Sequence, residues 1–118
     1  MAAVDETEHV NEVLLVGRLA AEAVEREMPS GDLLTQFRLV VDRPAEARRS
    51  ASVDTLDCGS WRADVRRSLA SWTAGDVVEV HGAVRRRFWQ TAGGAVSRYE
   101  IEVQRARRIA RVRRPRTS

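Results

Sequence analysis

Short apolar or alternating stretches recur along the chain, and they predict β-strands. The clearest is residues 33–42, where Thr35, Phe37 and Leu39 share one face and polar residues dominate the other. The five stretches are residues 10–19, 33–42, 53–58, 77–89 and 98–103, and residues 22–27 fit a resumption of the first strand. The pattern therefore predicts a mostly β protein.

Turn and loop residues separate these strands. Residues 28–32 and 91–94 have the Pro, Gly and polar composition of turns, so the last two strands form a hairpin with its tip at 91–94. The polar residues 43–52 show no periodicity and predict a loop. Gly17, near the end of the first strand, predicts a bulge or a sharp bend where a barrel closes.

One helix interrupts the series of strands. Val65, Leu69 and Trp72 are at helical spacing, which predicts a short helix over residues 60–71 with Ser60 as its N-cap. Three strands, one helix and two more strands match an all-β, five-stranded OB-fold barrel with one short helix between strands 3 and 4. The pattern alone also fits other small barrels.

Length and composition indicate one domain in a reducing compartment. The 118 residues are typical of a single domain. We expect a flexible N-terminus at 1–9, the barrel at 10–109 and a disordered basic tail at 110–118. No apolar run is long enough to cross a membrane, the acidic start is unlike a secretory signal, and Cys58 is the only cysteine. We expect a cytoplasmic, nucleoid-associated protein.

Charge is distributed unevenly along the chain. The formal net charge is +3, but residues 1–59 hold six arginines and twelve acidic residues, whereas residues 60–118 hold fourteen and five. Every basic residue other than histidine is an arginine, a choice that a GC-rich genome would also favour. The basic half is typical of proteins that bind a polyanion, and guanidinium groups suit phosphate oxygens and aromatic rings.

The fourth predicted strand carries the strongest candidate residues. Its alternation places Val78 and Val80 towards the core and Arg85, Arg87 and Trp89 towards solvent. Cations that follow a backbone and rings on which bases stack are what single-strand binding requires. This hypothesis needs the indole exposed and the two guanidiniums free of carboxylates.

Other rings and arginines extend this set. Phe88 has the opposite parity and Trp72 ends the helix, so we expect both in the core, and Tyr99 in the core or an interface. Trp61 fits either a nucleic-acid contact or a barrel plug. The candidate nucleic-acid-binding residues are Arg18, Arg38, Trp61, Arg85, Arg87, Trp89, Arg98 and Arg105.

No arrangement of residues predicts catalysis. Cys58 and His81 could form a catalytic pair, but a lone strand cysteine is more often a small buried apolar residue. The two histidines and one cysteine do not form the ligand groups of a zinc site, and Gly93-Gly94 lacks the Lys-Ser/Thr of a phosphate loop. We expect no enzyme, cofactor, metal or small-molecule substrate.

Six stretches resemble bacterial single-stranded DNA-binding proteins in order and spacing. They are residues 11–19, 29–31, 37–39, 75–82, 85–89 and 98–103, with the turn and the glycines in place. The resemblance implies an OB fold, sequence-tolerant binding to single-stranded DNA and a homo-oligomer, usually of four folds, with a dimer as the alternative. It also implies a role in replication, recombination or repair.

Three features depart from that family. The third strand, at 54–58, is acidic where the family is commonly rich in aromatic residues, so one stacking site is missing and Asp54 or Asp57 could repel phosphate locally. The chain ends in arginines rather than the family's acidic tip, which fits either a shortened sequence or a specialised paralogue of actinobacterial type. Lysine is absent.

Two function classes therefore remain open. The first is a single-stranded DNA-binding module, with RNA as a further ligand that the sequence does not distinguish. The second is an OB-fold interaction or regulatory subunit with weak or no DNA binding. The acidic third strand and the missing acidic tip favour the second class.

Overall fold

The computed structural model describes residues 7–113 as six strands and one helix. In chain order these are β1 (Val13–Leu19), β2 (Val24–Glu27), β3 (Leu33–Asp42), β4 (Val53–Ser60), α1 (Ala63–Ala70), β5 (Val77–Thr91) and β6 (Gly94–Ala110). A short 3-10 turn, Ala45–Ala47, lies in the predicted loop. The ends at 1–6 and 114–118, parts of the predicted flexible N-terminus and basic tail, lie outside the described residues.

Five of the strands close a barrel, as the sequence predicts. The sheet order is β1-β5-β6-β4-β3-β2, and β1 also pairs with β3, which joins the two ends of the five-stranded ring. Gly17 lies where β1 approaches β3, and a Cβ there would collide with the carbonyl of Val40. The closely approaching backbone therefore requires glycine. The short β2 extends the sheet beside β3. This architecture is the OB fold.

The core occupies the inside of the barrel and its end beneath α1. Leu39, Val78, Val80 and Val103 are fully buried, and Trp72 joins this cluster as the sequence predicts. No helix among the described residues is long and apolar enough to cross a membrane.

The helix starts later than predicted. Its N-cap position is Arg62, whose side chain does not cap it, and the Asp64 carboxylate accepts the first-turn N–H of Val65 at 2.9 Å. Ser60 instead ends β4, where its hydroxyl donates to the carbonyl of Val103 at 2.8 Å and accepts the backbone N–H of Arg62. The N-cap prediction was wrong because Ser60 is buried and its hydroxyl joins two elements.

The last hairpin is longer than predicted and projects beyond the barrel. β1 pairs with β5 only over Val13–Arg18, opposite Val77–Gly82, and β4 pairs with β6 only at Ile101 and Glu102. Residues 85–100 therefore form a two-stranded arm, and no other strand within residues 7–113 pairs with either of its edges. Because side chains alternate across a strand, the arm has two different faces.

Candidate nucleic-acid interface

One face of the arm continues the outer surface of the barrel. Cross-strand pairing places Arg85 opposite Glu100, Arg87 opposite Arg98 and Trp89 opposite Val96, so these side chains share a face. We call it the tryptophan face, and it includes the neighbouring outward residues Arg38, Asp57, Trp61 and Glu102. The pairing of β5 with β6 is interrupted by two bulges, and in each the extra residue lies in β6. The side chains of β5 therefore alternate between the two faces as predicted.

Two indoles on this face lie under guanidinium groups. The Cζ of Arg98 lies 5.2 Å from the ring centroid of Trp89, and that of Arg87 lies 5.9 Å from the ring of Trp61. Each indole is 41% exposed. Trp61 is therefore not a barrel plug, and both rings offer surface to a ligand while a cation holds them in place.

The arginines of the tryptophan face are paired with carboxylates. Asp57 accepts from Arg38 at 3.0 Å and from Arg98 at 3.1 Å. Glu102 accepts from Arg85 and Glu100 from Arg87, each at 3.0 Å. The expectation of free guanidiniums at positions 85 and 87 was wrong, since β6 carries a carboxylate beside each of them.

Glu100 differs from the other two acids because it is buried. Gly59 on β4 makes the space for it: a Cβ at Gly59 would lie 2.7 Å from the Glu100 Oε1. Arg87 is thereby held between a buried carboxylate and the Trp61 ring. A cleft of about 440 Å³ opens beside this group, between the arm and β2–β3, and its arm side is lined by Arg87, Phe88, Trp89, Arg98 and Glu100.

The opposite face of the arm carries exposed rings that the sequence analysis placed elsewhere. We call it the phenylalanine face and define it by Arg86, Phe88, Ser97 and Tyr99. Phe88 is 72% and Tyr99 62% exposed, so the prediction of a core Phe88 was wrong, and Tyr99 is not in the core of this chain. Both side chains point to the side of their strands that faces the core within the barrel. They are exposed because the arm lies beyond the end of the barrel.

Two predicted site residues lie apart from the ring cluster. Arg18 pairs with Asp42 at 3.1 Å, near the place where β1 joins β3. Arg105 lies beside α1, in a recess shared with Asp64 and His81, and has no ion-pair partner among the described residues. The structure brings Arg38, Trp61, Arg85, Arg87, Trp89 and Arg98 together.

Cys58 is a core residue rather than a nucleophile. Its burial, with the negative charges of Glu100 and Asp57, raises the pKa of the thiol to about 12. The reactive form of cysteine is the thiolate, so the thiol is inert at neutral pH. Residues 7–113 contain no cluster of three or more acidic, histidine or cysteine side chains suited to a metal ion.

The closed five-stranded barrel with its single helix defines an OB-fold protein. A sequence model described as the single-strand binding protein family matches residues 10–109, and the chain belongs to this family.

Similar proteins are found in distant organisms. The chain is 34% identical over 89 residues to a single-stranded DNA-binding protein of Thermotoga maritima, covering 71% of this chain and 62% of that protein. It is 30% identical over 87 residues to single-stranded DNA-binding protein 1 of Streptococcus agalactiae, covering 72% and 53%. The matched part of this chain therefore spans less than two thirds of either relative.

A solved structure has the same fold. The chain superposes on the Plasmodium falciparum SSB, determined in complex with ssDNA, with a TM-score of 0.70 at 19% identity. The match covers 89% of this chain and 97% of that one. At this level of identity the likeness concerns the fold.

Proposed function

We propose that this protein binds single-stranded DNA with little sequence preference. Bases would stack on Trp89 and Trp61, and the arginines of the tryptophan face would contact phosphates. The observation that carries the proposal is the pair of half-exposed indoles, each beside a guanidinium, on one continuous face. Because every base has a π surface, stacking of this kind tolerates any sequence.

The free guanidiniums at positions 85 and 87 that the sequence hypothesis required are absent, since both are paired, so the proposal depends on the exposed indoles and on exchange of carboxylate for phosphate. A phosphate oxygen can take the place of an exposed carboxylate, and an exposed ion pair contributes only about 0–1 kcal/mol. One stacked base contributes about 1–3 kcal/mol, so stacking outweighs the pairs that DNA must open. Arg87 is the exception, because its partner Glu100 is buried. We propose that Arg87 keeps this pair and positions Trp61.

The outlying candidates have secondary roles. We propose that Arg18 gives a phosphate contact at the far end of the outer surface, after exchange from Asp42. Arg105 is unpaired among the described residues and would attract the backbone near α1. Within residues 7–113, neither arginine lies over an aromatic ring, so neither is linked to base stacking.

Tryptophan fluorescence titrated with an oligo-dT strand tests the proposal. Trp61 and Trp89 are exposed whereas Trp72 is buried, so we expect partial quenching. Repeating the titration at several salt concentrations counts phosphate contacts, since log K falls with a slope of about −0.7 per contact for single strands. Absence of both quenching and DNA affinity at low salt would reject the proposal.

We further propose that the chain acts as a cytoplasmic, nucleoid-associated homo-oligomer that protects single strands during replication, recombination or repair, without catalysis. Residues 10–109 would be the binding domain. Membership of the single-strand binding protein family supports this assignment. Light scattering with and without DNA measures the assembly directly, with four folds expected and two as the alternative.

A second candidate function is an OB-fold interaction or regulatory subunit. The observation in its favour is that carboxylates pair with Arg38, Arg85, Arg87 and Arg98, which lowers the attraction for a polyanion. Capture of one stoichiometric protein partner, together with no DNA affinity at low salt, would support this function over the first.

A further inference from the structure

The phenylalanine face is built like a stacking site, with one cation beside two exposed rings. The Cζ of Arg86 lies 5.4 Å from the ring centroid of Phe88 and 5.1 Å from that of Tyr99. Its guanidinium also donates to the Ser97 hydroxyl at 2.9 Å and to the Tyr99 hydroxyl at 3.1 Å. These contacts hold one cation and two rings in a fixed arrangement, while both rings remain largely exposed.

The charge of this face is uncompensated. Within residues 7–113, Arg86 has no carboxylate partner, whereas Arg85 and Arg87 on either side of it are both paired. Large exposed rings are uncommon on a surface that meets only water. A cation without a counter-ion, set between two such rings, is complementary to a ligand that has both negative charge and flat aromatic groups.

We propose, on the basis of the single-strand binding proposed above, that the phenylalanine face is a second stacking site for the same DNA strand. Bases would stack on Phe88 and Tyr99, and Arg86 would contact a phosphate. Only one two-stranded ribbon separates the two faces, and no other strand in the described part of the chain covers an edge of the arm. A long strand can therefore pass over an edge and occupy both faces, but a short one occupies the tryptophan face alone.

The test compares short and long strands. A Phe88→Ala/Tyr99→Ala double variant is titrated with labelled oligo-dT of about 6 and about 16 nucleotides, because OB folds occupy roughly 4–16 nucleotides. We expect unchanged affinity and quenching with the short strand. With the long strand we expect at least fivefold weaker binding, since one stacked base corresponds to roughly 5- to 150-fold.

Two further variants make the result specific. Ile109→Ala removes an exposed apolar side chain from β6 outside the arm, and it should bind both strands like the unmodified protein. Arg86→Gln should reduce the salt slope by about 0.7 with the long strand only.

Three outcomes would overturn this inference. If the unmodified protein binds neither strand, the proposed function fails and the second site fails with it. If the unmodified protein binds both strands and the double variant binds the long one equally well, only the second site fails. If the double variant has a lower assembly mass than the unmodified protein in the absence of DNA, and binds both strands equally more weakly, the face is a contact between copies of this chain.

Discussion

The two faces of the arm consist of the same two strands, yet their cations have different partners. On the tryptophan face, Arg85, Arg87 and Arg98 each pair with a carboxylate. On the phenylalanine face, Arg86 has only hydroxyl and ring partners among the described residues. Neighbouring arginines of β5 thus differ in whether a carboxylate neutralises them. The reason is that neighbouring side chains point to opposite faces and meet different residues of β6.

This difference separates two ways of attracting a strand. Four arginines on the tryptophan face stand against three carboxylates, so its net attraction for phosphate is small and stacking must supply most of the binding free energy. The phenylalanine face has one cation, Arg86, and within residues 7–113 no acid pairs with it that DNA would have to displace. Salt should therefore weaken binding to the tryptophan face only moderately.

The largest expected effect concerns the barrel that holds both faces. Asp76 is buried and accepts the backbone N–H of Thr73 at 2.9 Å and of Val112 at 2.8 Å, with Arg108 at 3.5 Å. Asp76→Ala leaves two partly buried backbone N–H groups and Arg108 without their acceptor, and should lower the free energy of unfolding by about 3 kcal/mol, measured by urea denaturation. Asp42→Ala opens only an exposed pair and should cost less than about 1 kcal/mol.

Acid should also lower the stability of the unmodified protein through Asp76. The N–H groups of Thr73 and Val112, and then Arg108, hold the pKa of Asp76 below its ordinary value. The resulting stability is complete above the pKa of this carboxyl in the unfolded chain and disappears as the pH falls through the lower folded value. Asp76→Ala also serves as a reference for the arm variants. If an arm variant lowers the free energy of unfolding as much as Asp76→Ala does, its loss of DNA binding would reflect unfolding.

The next largest effect separates the two faces directly. Trp89→Ala removes a stacking ring from the tryptophan face, so a strand of about 6 nucleotides should bind about tenfold or more weakly. Phe88→Ala should leave that strand unaffected. Fluorescence anisotropy of a labelled strand measures the affinity of both variants. Tryptophan quenching is not suitable here, because Trp89→Ala removes one of the fluorescent residues. Equal losses in the two variants would contradict a division of the arm into separate faces.

Much of this arrangement is predictable from alternation alone. β5 runs in an unbroken period of two, so Val78 and Val80 point inwards and Arg85, Arg87 and Trp89 outwards, as the sequence indicates. Phe88 follows the inward parity correctly, but it lies beyond the end of the barrel. Whether an inward position is buried depends on where the neighbouring strands stop, and that is a tertiary property.

The ion pairs were also beyond the reach of the sequence. Asp57 lies opposite Arg38, 19 positions away in sequence, because β3 pairs with β4. It meets Arg98, 41 positions away, because β6 lies beside β4. Only the pairing of three strands brings these charges together. An acidic third strand predicted repulsion of phosphate, whereas the structure shows the acid engaged by two arginines.

The smallest expected effect tests whether those acids limit affinity. Asp57→Asn removes the partner charge of Arg38 and Arg98, leaving both guanidiniums available to phosphates. Binding of a short oligo-dT strand at low salt should become about fivefold tighter, which corresponds to about 1 kcal/mol of exposed ion pairing. The salt slope should steepen by about 0.7, because in the unmodified protein the displaced Asp57 carboxylate takes up one cation and offsets one of those released from the DNA.

Asp54→Asn is the matched control, since Asp54 also lies on β4 and pairs with an arginine, Arg43, away from the indoles. It should change neither affinity nor slope by a comparable amount. The gain from Asp57→Asn should also persist in the Phe88→Ala background, because separate sites contribute additively. No gain in affinity would mean that the Asp57 carboxylate does not limit binding on this face. A gain without a steeper slope would contradict the exchange of Asp57 for phosphate at Arg38 and Arg98.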